Sequence, residues 1–110
     1  MEINKDNINQ FIFGTTMDCS NKQITNIESI PQYITYLNCS NNKLTKLPKL
    51  PNNIRYLYCQ SNKLINLPDI PNSLICLSSD FNDKPFPIKN EKIKEHIKLL
   101  KRKKIIKSII

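Results

Sequence analysis

Four cysteines and one histidine are the side chains of this chain best suited to nucleophilic or soft-metal chemistry: Cys19, Cys39, Cys59, Cys76 and His96. The first three lie twenty residues apart, a spacing that matches no compact zinc motif, and there is no Cys-x-x-Cys. Each sits two positions after an apolar residue (Met17, Leu37, Leu57) in an alternating stretch. The expectation is therefore a small inward-facing side chain with an inert thiol. In-register neighbours on parallel strands are also poorly placed for a relaxed disulfide. Cys76 falls instead in the outward column of Thr16, Tyr36 and Tyr56, and should be the more reactive thiol. His96 has no Ser, Cys or carboxylate arrangement beside it that would suggest a triad. The single glycine, Gly14, excludes a glycine-rich phosphate loop. The chemistry thus points away from catalysis, cofactors, metals and a small-molecule substrate. Asn38-Cys39-Ser40 is formally a glycosylation sequon, but its strand position argues against occupancy.

The elements that would position these residues emerge when the chain is written in rows of twenty. Ile34, Ile54 and Leu74 share one column, and Met17, Leu37, Leu57 and Leu77 the next. Asn42, Asn62 and Asn82 form another, followed by Ile24, Leu44 and Leu64 and then by Ile27, Leu47 and Leu67. Ile30, Leu50 and Ile70 close the rows, ahead of Pro31, Pro51 and Pro71. Leu37 and Cys39 alternate as a strand with one face buried, so stacked rows give a parallel sheet. The Asn column sits where the chain leaves the strand, and its side chains should bond the backbone of their own and the adjoining row. Pro48, Pro51, Pro68 and Pro71 oppose helix and favour an extended return path.

The rows Ile34-x-x-Leu37-x-Cys39-x-x-Asn42-x-Leu44 and Ile54-x-x-Leu57-x-Cys59-x-x-Asn62-x-Leu64 resemble the leucine-rich-repeat signature, with Cys in place of one Leu. The closing Leu47-Pro48-x-Leu50-Pro51 and Leu67-Pro68-x-Ile70-Pro71 look like the short LPxLP subclass of secreted bacterial effectors and giant-virus proteins. The resemblance covers about residues 14–83. It weakens at Gly14, Lys22 and Glu28 in the first row and after Asn82 in the last. It implies an α/β repeat fold: a leucine-rich-repeat solenoid with a parallel concave β-sheet, an extended proline-rich convex side and a C-terminal capping helix. It also implies an interaction module rather than an enzyme. Relatives with ubiquitin-ligase activity carry a separate large catalytic domain, which this chain has no room for.

Three segments are expected: an N-terminal cap over 1–13, the rows over 14–83 and a basic cap over 84–110. In the first, Phe11 and Phe13 are expected on one face of a strand. The last reads as a helix with Asn90 as N-cap and Ile93, Ile97 and Leu100 as its buried stripe. The net charge of +8 belongs to it entirely. Residues 1–83 hold seven Lys/Arg and seven Asp/Glu, and residues 84–110 hold ten and two. Lys94, Lys98, Lys101 and Arg102 are candidate anion contacts, so a nucleic acid or an anionic membrane could be met through residues 89–107.

The principal expected site is the outward face of the stacked strands, where Tyr36, Tyr56 and Tyr58 cluster with Asn38, Ser40 and Gln60. Tyrosine offers apolar area and a hydrogen-bonding tip at low entropy cost, which suits a protein or peptide partner. Met1–Asn9 carries Glu2, Lys5 and Asp6 and does not read as a signal peptide, and no stretch is apolar enough to span a bilayer. A cytoplasmic, reducing location, in a host or a producing cell, is the corresponding expectation. Hydrophobic residues at 39% and charged residues at 24% fit a folded chain and exclude a disordered one.

Overall fold

The computed structural model describes residues 1–80 and the backbone of the strand Phe86–Pro87. Strands β1 (Glu2–Ile3) and β4 (Asn26–Ile27) form a two-stranded parallel sheet. Strands β2 (Ile12–Phe13), β3 (Thr16–Asp18), β5 (Tyr36–Asn38), β6 (Tyr56–Tyr58), β7 (Cys76–Ser78) and β8 (Phe86–Pro87) form a six-stranded mixed sheet in that order. The four inner strands are parallel and pair at twenty-residue offsets, so that Met17, Leu37, Leu57 and Leu77 are successive partners.

Local chemistry keeps these strands to three residues. Each of β5, β6 and β7 follows a turn in which the carbonyl of Pro31, Pro51 or Pro71 accepts from the amide of Ile34, Ile54 or Leu74 at 3.2, 3.3 and 3.2 Å. Proline fixes its own φ and can only accept, which suits it to open such a turn. Beyond the strands the chain bends at Asn21, Asn41 and Ser61, with φ of 57, 56 and 58°. That left-handed geometry is tolerated best by glycine and asparagine.

Between strand and return path lies a polar column. Asn42 is buried and makes five bonds. Its Oδ1 accepts from the amides of Lys22 and Ile24, both at 3.0 Å. Its Nδ2 donates to the carbonyls of Cys19, Cys39 and Ser40 at 2.9, 3.0 and 3.2 Å. Asn62 repeats the pattern one row on, accepting from Leu44 and donating to Cys39, Cys59 and Gln60. These bonds satisfy backbone groups that the short strands leave unpaired in a dry interior. Around them the core is made of fully buried Ile3, Met17, Ile34, Leu37, Leu44, Ile54, Leu57, Leu74 and Leu77.

The N-terminus closes one end of this core. Ile3 is 0% exposed and pairs with Ile27, while a single 3-10 turn over Ile8–Phe11 buries Phe11. Strand β2 then folds back onto β3 through Gly14 and Thr15, with Phe13 opposite Thr16. Gly14 has φ +63°, the sense required at the first position of a tight hairpin turn. The reversal turns Phe13 to solvent at 90% exposure, so Phe11 and Phe13 do not share a strand face.

The expected fold class is corrected by this topology. An α/β leucine-rich-repeat solenoid, with a purely parallel concave sheet and a capping helix, is not what forms. Antiparallel strands flank the parallel four on both sides, at β2 and at β8, and the N-terminus builds a second sheet. No α-helix occurs among the described residues. The radius of gyration of 13.7 Å is close to the ~13 Å of a folded globule of this length. The physical reason is size: a chain this short has few layers, and open ends would leave much of its apolar interior in water. The chain closes those ends by folding back, giving a compact sheet-rich globule. The description as a repeat solenoid of effector or giant-virus type, with protein binding read from that architecture, is withdrawn with it. The helix expected over 89–110, with Lys94, His96, Lys98, Lys101 and Arg102, lies outside the described residues, as does Asn82.

Candidate functional site

Parallel pairing sets Thr16, Tyr36, Tyr56 and Cys76 side by side, and next to them Asp18, Asn38, Tyr58 and Ser78. Because the intervening Met17, Leu37, Leu57 and Leu77 point inward, these two columns project from the outer face. Tyr36 is the hub of the cluster. Its ring centroid lies 5.8 Å from that of Tyr56, its direct cross-strand neighbour, and 5.4 Å from that of Tyr58, its diagonal one. The interplanar angles of 41 and 40° are tilted contacts of the kind aromatic pairs favour. Tyr56 is exposed, while Tyr36 and Tyr58 are half-buried by their neighbours.

The hydroxyl of Tyr58 meets the fourth strand, where the Cys76 thiol donates to it across 3.7 Å. This contact comes first, with partial burial and the neighbouring Cys76, Tyr36 and Tyr56 adding to it, and the Tyr58 phenol is pushed up to about 12. The Tyr58 phenol therefore stays neutral across the physiological range.

Of the other expected site residues, Asn38 is half-buried and turned back on its own strand end. Its Oδ1 accepts from the Ser40 amide at 3.1 Å and the Ser40 hydroxyl at 2.6 Å. Ser40 is only 4% exposed, so it braces the turn and is not presented to a partner. Gln60 is half-buried, and its Oε1 is a buried acceptor with no hydrogen-bond donor. Asp18 and Asp80 were not singled out from the sequence, yet both stand on this face. Asp18 accepts from the amide and hydroxyl of Ser20 at 3.1 and 2.7 Å. Asp80 accepts from the amides of Ser61 and Asn62 at 2.7 and 3.0 Å. Their place at the ends of successive outward columns was the available signal.

Behind the face, Cys19, Cys39 and Cys59 are 0% exposed and unpaired. Desolvation by burial pushes Cys19 and Cys59 up to about 12, with the carboxylates of Asp18 and Asp80 respectively adding to it. Cys39 is pushed well above the ordinary thiol range, first by burial and then by its two cysteine neighbours. Nucleophilic chemistry needs an accessible thiolate, so these three are inert and Cys76 alone reaches the surface. The expected result with iodoacetamide at neutral pH is one carbamidomethyl group per native chain, mapped to Cys76. The other three should label only after unfolding, and early labelling of any of them in peptide mapping would contradict the buried column.

No group of three or more His, Cys, Asp or Glu that could hold a metal occurs among the described residues. No helix of the described residues is long and apolar enough to cross a membrane. The chain matches no family model, no curated protein and no solved structure.

Proposed function

We propose that the chain is a non-catalytic binding module that holds a partner protein or peptide against the outer face of its mixed sheet. The observation that carries this reading is the contact cluster of Tyr36, Tyr56 and Tyr58, fixed on three-residue strands and open to solvent at Tyr56. Rings held in one arrangement before binding lose little entropy when a partner covers them. A ladder that only braced the sheet would gain its cross-strand contacts without keeping a ring exposed. Three unpaired buried thiols support a reducing, cytoplasmic setting for this activity.

A second reading rests on charge. The chain's whole net charge of +8 lies in residues 84–110, so nucleic acid or an anionic membrane bound there is the competing assignment. A pull-down from nuclease-treated lysate separates the two. It would compare the wild type, a Tyr36→Ala/Tyr56→Ala/Tyr58→Ala variant and a Lys94→Gln/Lys98→Gln/Lys101→Gln/Arg102→Gln variant, with circular dichroism confirming that each is folded. A specific protein lost only from the tyrosine variant is the expected result. Loss only from the glutamine variant, or only on nuclease treatment, would overturn it and move the function to the basic segment.

A further inference from the structure

We infer that the partner segment recognised by the tyrosine face is cationic: an extended peptide stretch carrying two Lys or Arg side chains about four to five residues apart. The inference rests on the proposed function and names the chemistry of its partner.

At the outward positions of the four parallel strands, and of the residues that follow each, Asp18 and Asp80 are the only charged side chains. The seven Lys and Arg of residues 1–80 all lie elsewhere. Asp18 is fixed by hydrogen bonds from Ser20 in its own turn and Asp80 by the amides of Ser61 and Asn62 in the turn of the preceding row, and neither has an ion-pair partner among the described residues. The tyrosines stand between these two carboxylates. Asp18 is on the strand before Tyr36, and Asp80 follows the strand after Tyr58.

Each feature selects for positive charge. Tyrosine rings carry negative faces that attract ammonium and guanidinium groups. The exposed Asp18 carboxylate and that of Asp80 keep acceptor capacity beyond the turn donors they already hold. Guanidinium brings five N–H donors, and acidic or purely apolar segments bring none to spare. Spacing then sets the length. Asp18 and Ser78 are three strand intervals apart and Asp80 lies two residues further, so the carboxylates are roughly 16 Å apart. An extended chain covers roughly 3.3 Å per residue, which places its two cations about four to five residues apart. The residue between them would lie over Tyr36 and Tyr56.

The test uses the full chain and a nine-residue Ser/Gly peptide with Leu at its centre and Arg at positions 3 and 7. Binding is read by nuclear magnetic resonance from the tyrosine ring signals. The arginine peptide should bind at least tenfold more tightly than its Arg→Gln counterpart, and should weaken as salt is raised. The Asp18→Asn/Asp80→Asn variant should lose most of that tenfold preference. Asparagine at position 18 keeps the one oxygen that serves both Ser20 bonds, asparagine at position 80 keeps an acceptor for one of its two amides, and circular dichroism checks that the fold survives. Equal binding of the two peptides, or a preference unchanged in the Asn variant, would overturn the inference. Failure here is distinct from failure of the proposed function. A protein partner that still requires Tyr36, Tyr56 and Tyr58 but ignores Asp18 and Asp80 would leave the face as the site and reject only its charge preference.

Discussion

Replacing Asn42 by alanine is expected to lower the unfolding free energy by about 3–5 kcal/mol, far more than any surface change to this chain would. The side chain is 8% exposed and fills its hydrogen-bonding capacity with five backbone partners from two adjoining layers. Without it the amide of buried Ile24 loses its acceptor and the Cys19 carbonyl loses the Asn42 amide donor. Each orphaned buried group costs about 1–3 kcal/mol. The Ser40 carbonyl suffers less, because it also accepts from the Asn21 amide. The equivalent change at Asn62 should cost about 1–2 kcal/mol, since its site is only part-buried and water can take over some of the bonds. Asn42→Asp should be at least as harmful as Asn42→Ala, because it keeps the acceptor but sets a second oxygen against three carbonyls. Urea unfolding monitored by circular dichroism measures all three. Equal midpoints for Asn42→Ala and Asn62→Ala would refute the role assigned to burial.

How much of this was legible in the sequence follows from which interactions are local. The period-two alternation assigned Met17, Leu37 and Leu57 and the three cysteines to the interior, and all six are 0% exposed. The asparagine column was legible for the same reason: a polar residue recurring at the end of an apolar alternation has few other uses. The closure of the sheet was not legible. It depends on Gly14 turning β2 back onto β3 and on Phe86–Pro87 running antiparallel to β7, pairings decided by how the ends meet the core. Phe13 illustrates the limit. Its spacing placed it on one strand face with Phe11, but a two-residue hairpin fixes which side it faces, and that side is solvent. On the candidate face the tyrosines were found from their columns alone. Ser40 was misjudged because alternation places it outward, whereas its hydroxyl bends back to Asn38 and is covered. Asp18 and Asp80 fall in the outward columns by their spacing but were not chosen as site residues, because a single acidic residue on a strand ordinarily marks only a solvated position.

The buried thiols make a second large effect, on stability against pH. Cys19 and Cys59 are held near 12 in the folded chain, against an ordinary value of 9.0, and burial raises Cys39 well above that value too. A thiol whose folded value lies above its unfolded one binds its proton more tightly in the native state. Its contribution is therefore fully present below pH 9 and is lost as pH rises through the folded value. Each unit of that interval is worth about 1.4 kcal/mol per group. At pH 10.5, Cys19 and Cys59 together should have removed about 4 kcal/mol, and Cys39 adds to the loss in the same direction. Tyr58, raised to about 12, acts in the same sense. A domain of this size has only about 5–15 kcal/mol in total, so the chain should unfold cooperatively between about pH 10 and 11. Thiolate absorbance at 240 nm from the buried thiols should appear with that transition. The Cys19→Ala/Cys39→Ala/Cys59→Ala variant separates the cause from general alkaline damage. Small cavities lower its stability at neutral pH, but its unfolding free energy should be nearly flat from pH 8 to 10.5, where the wild type falls steeply. A wild-type curve that is itself flat over that range, or a variant with the same slope, would show that the buried column does not govern the alkaline limit.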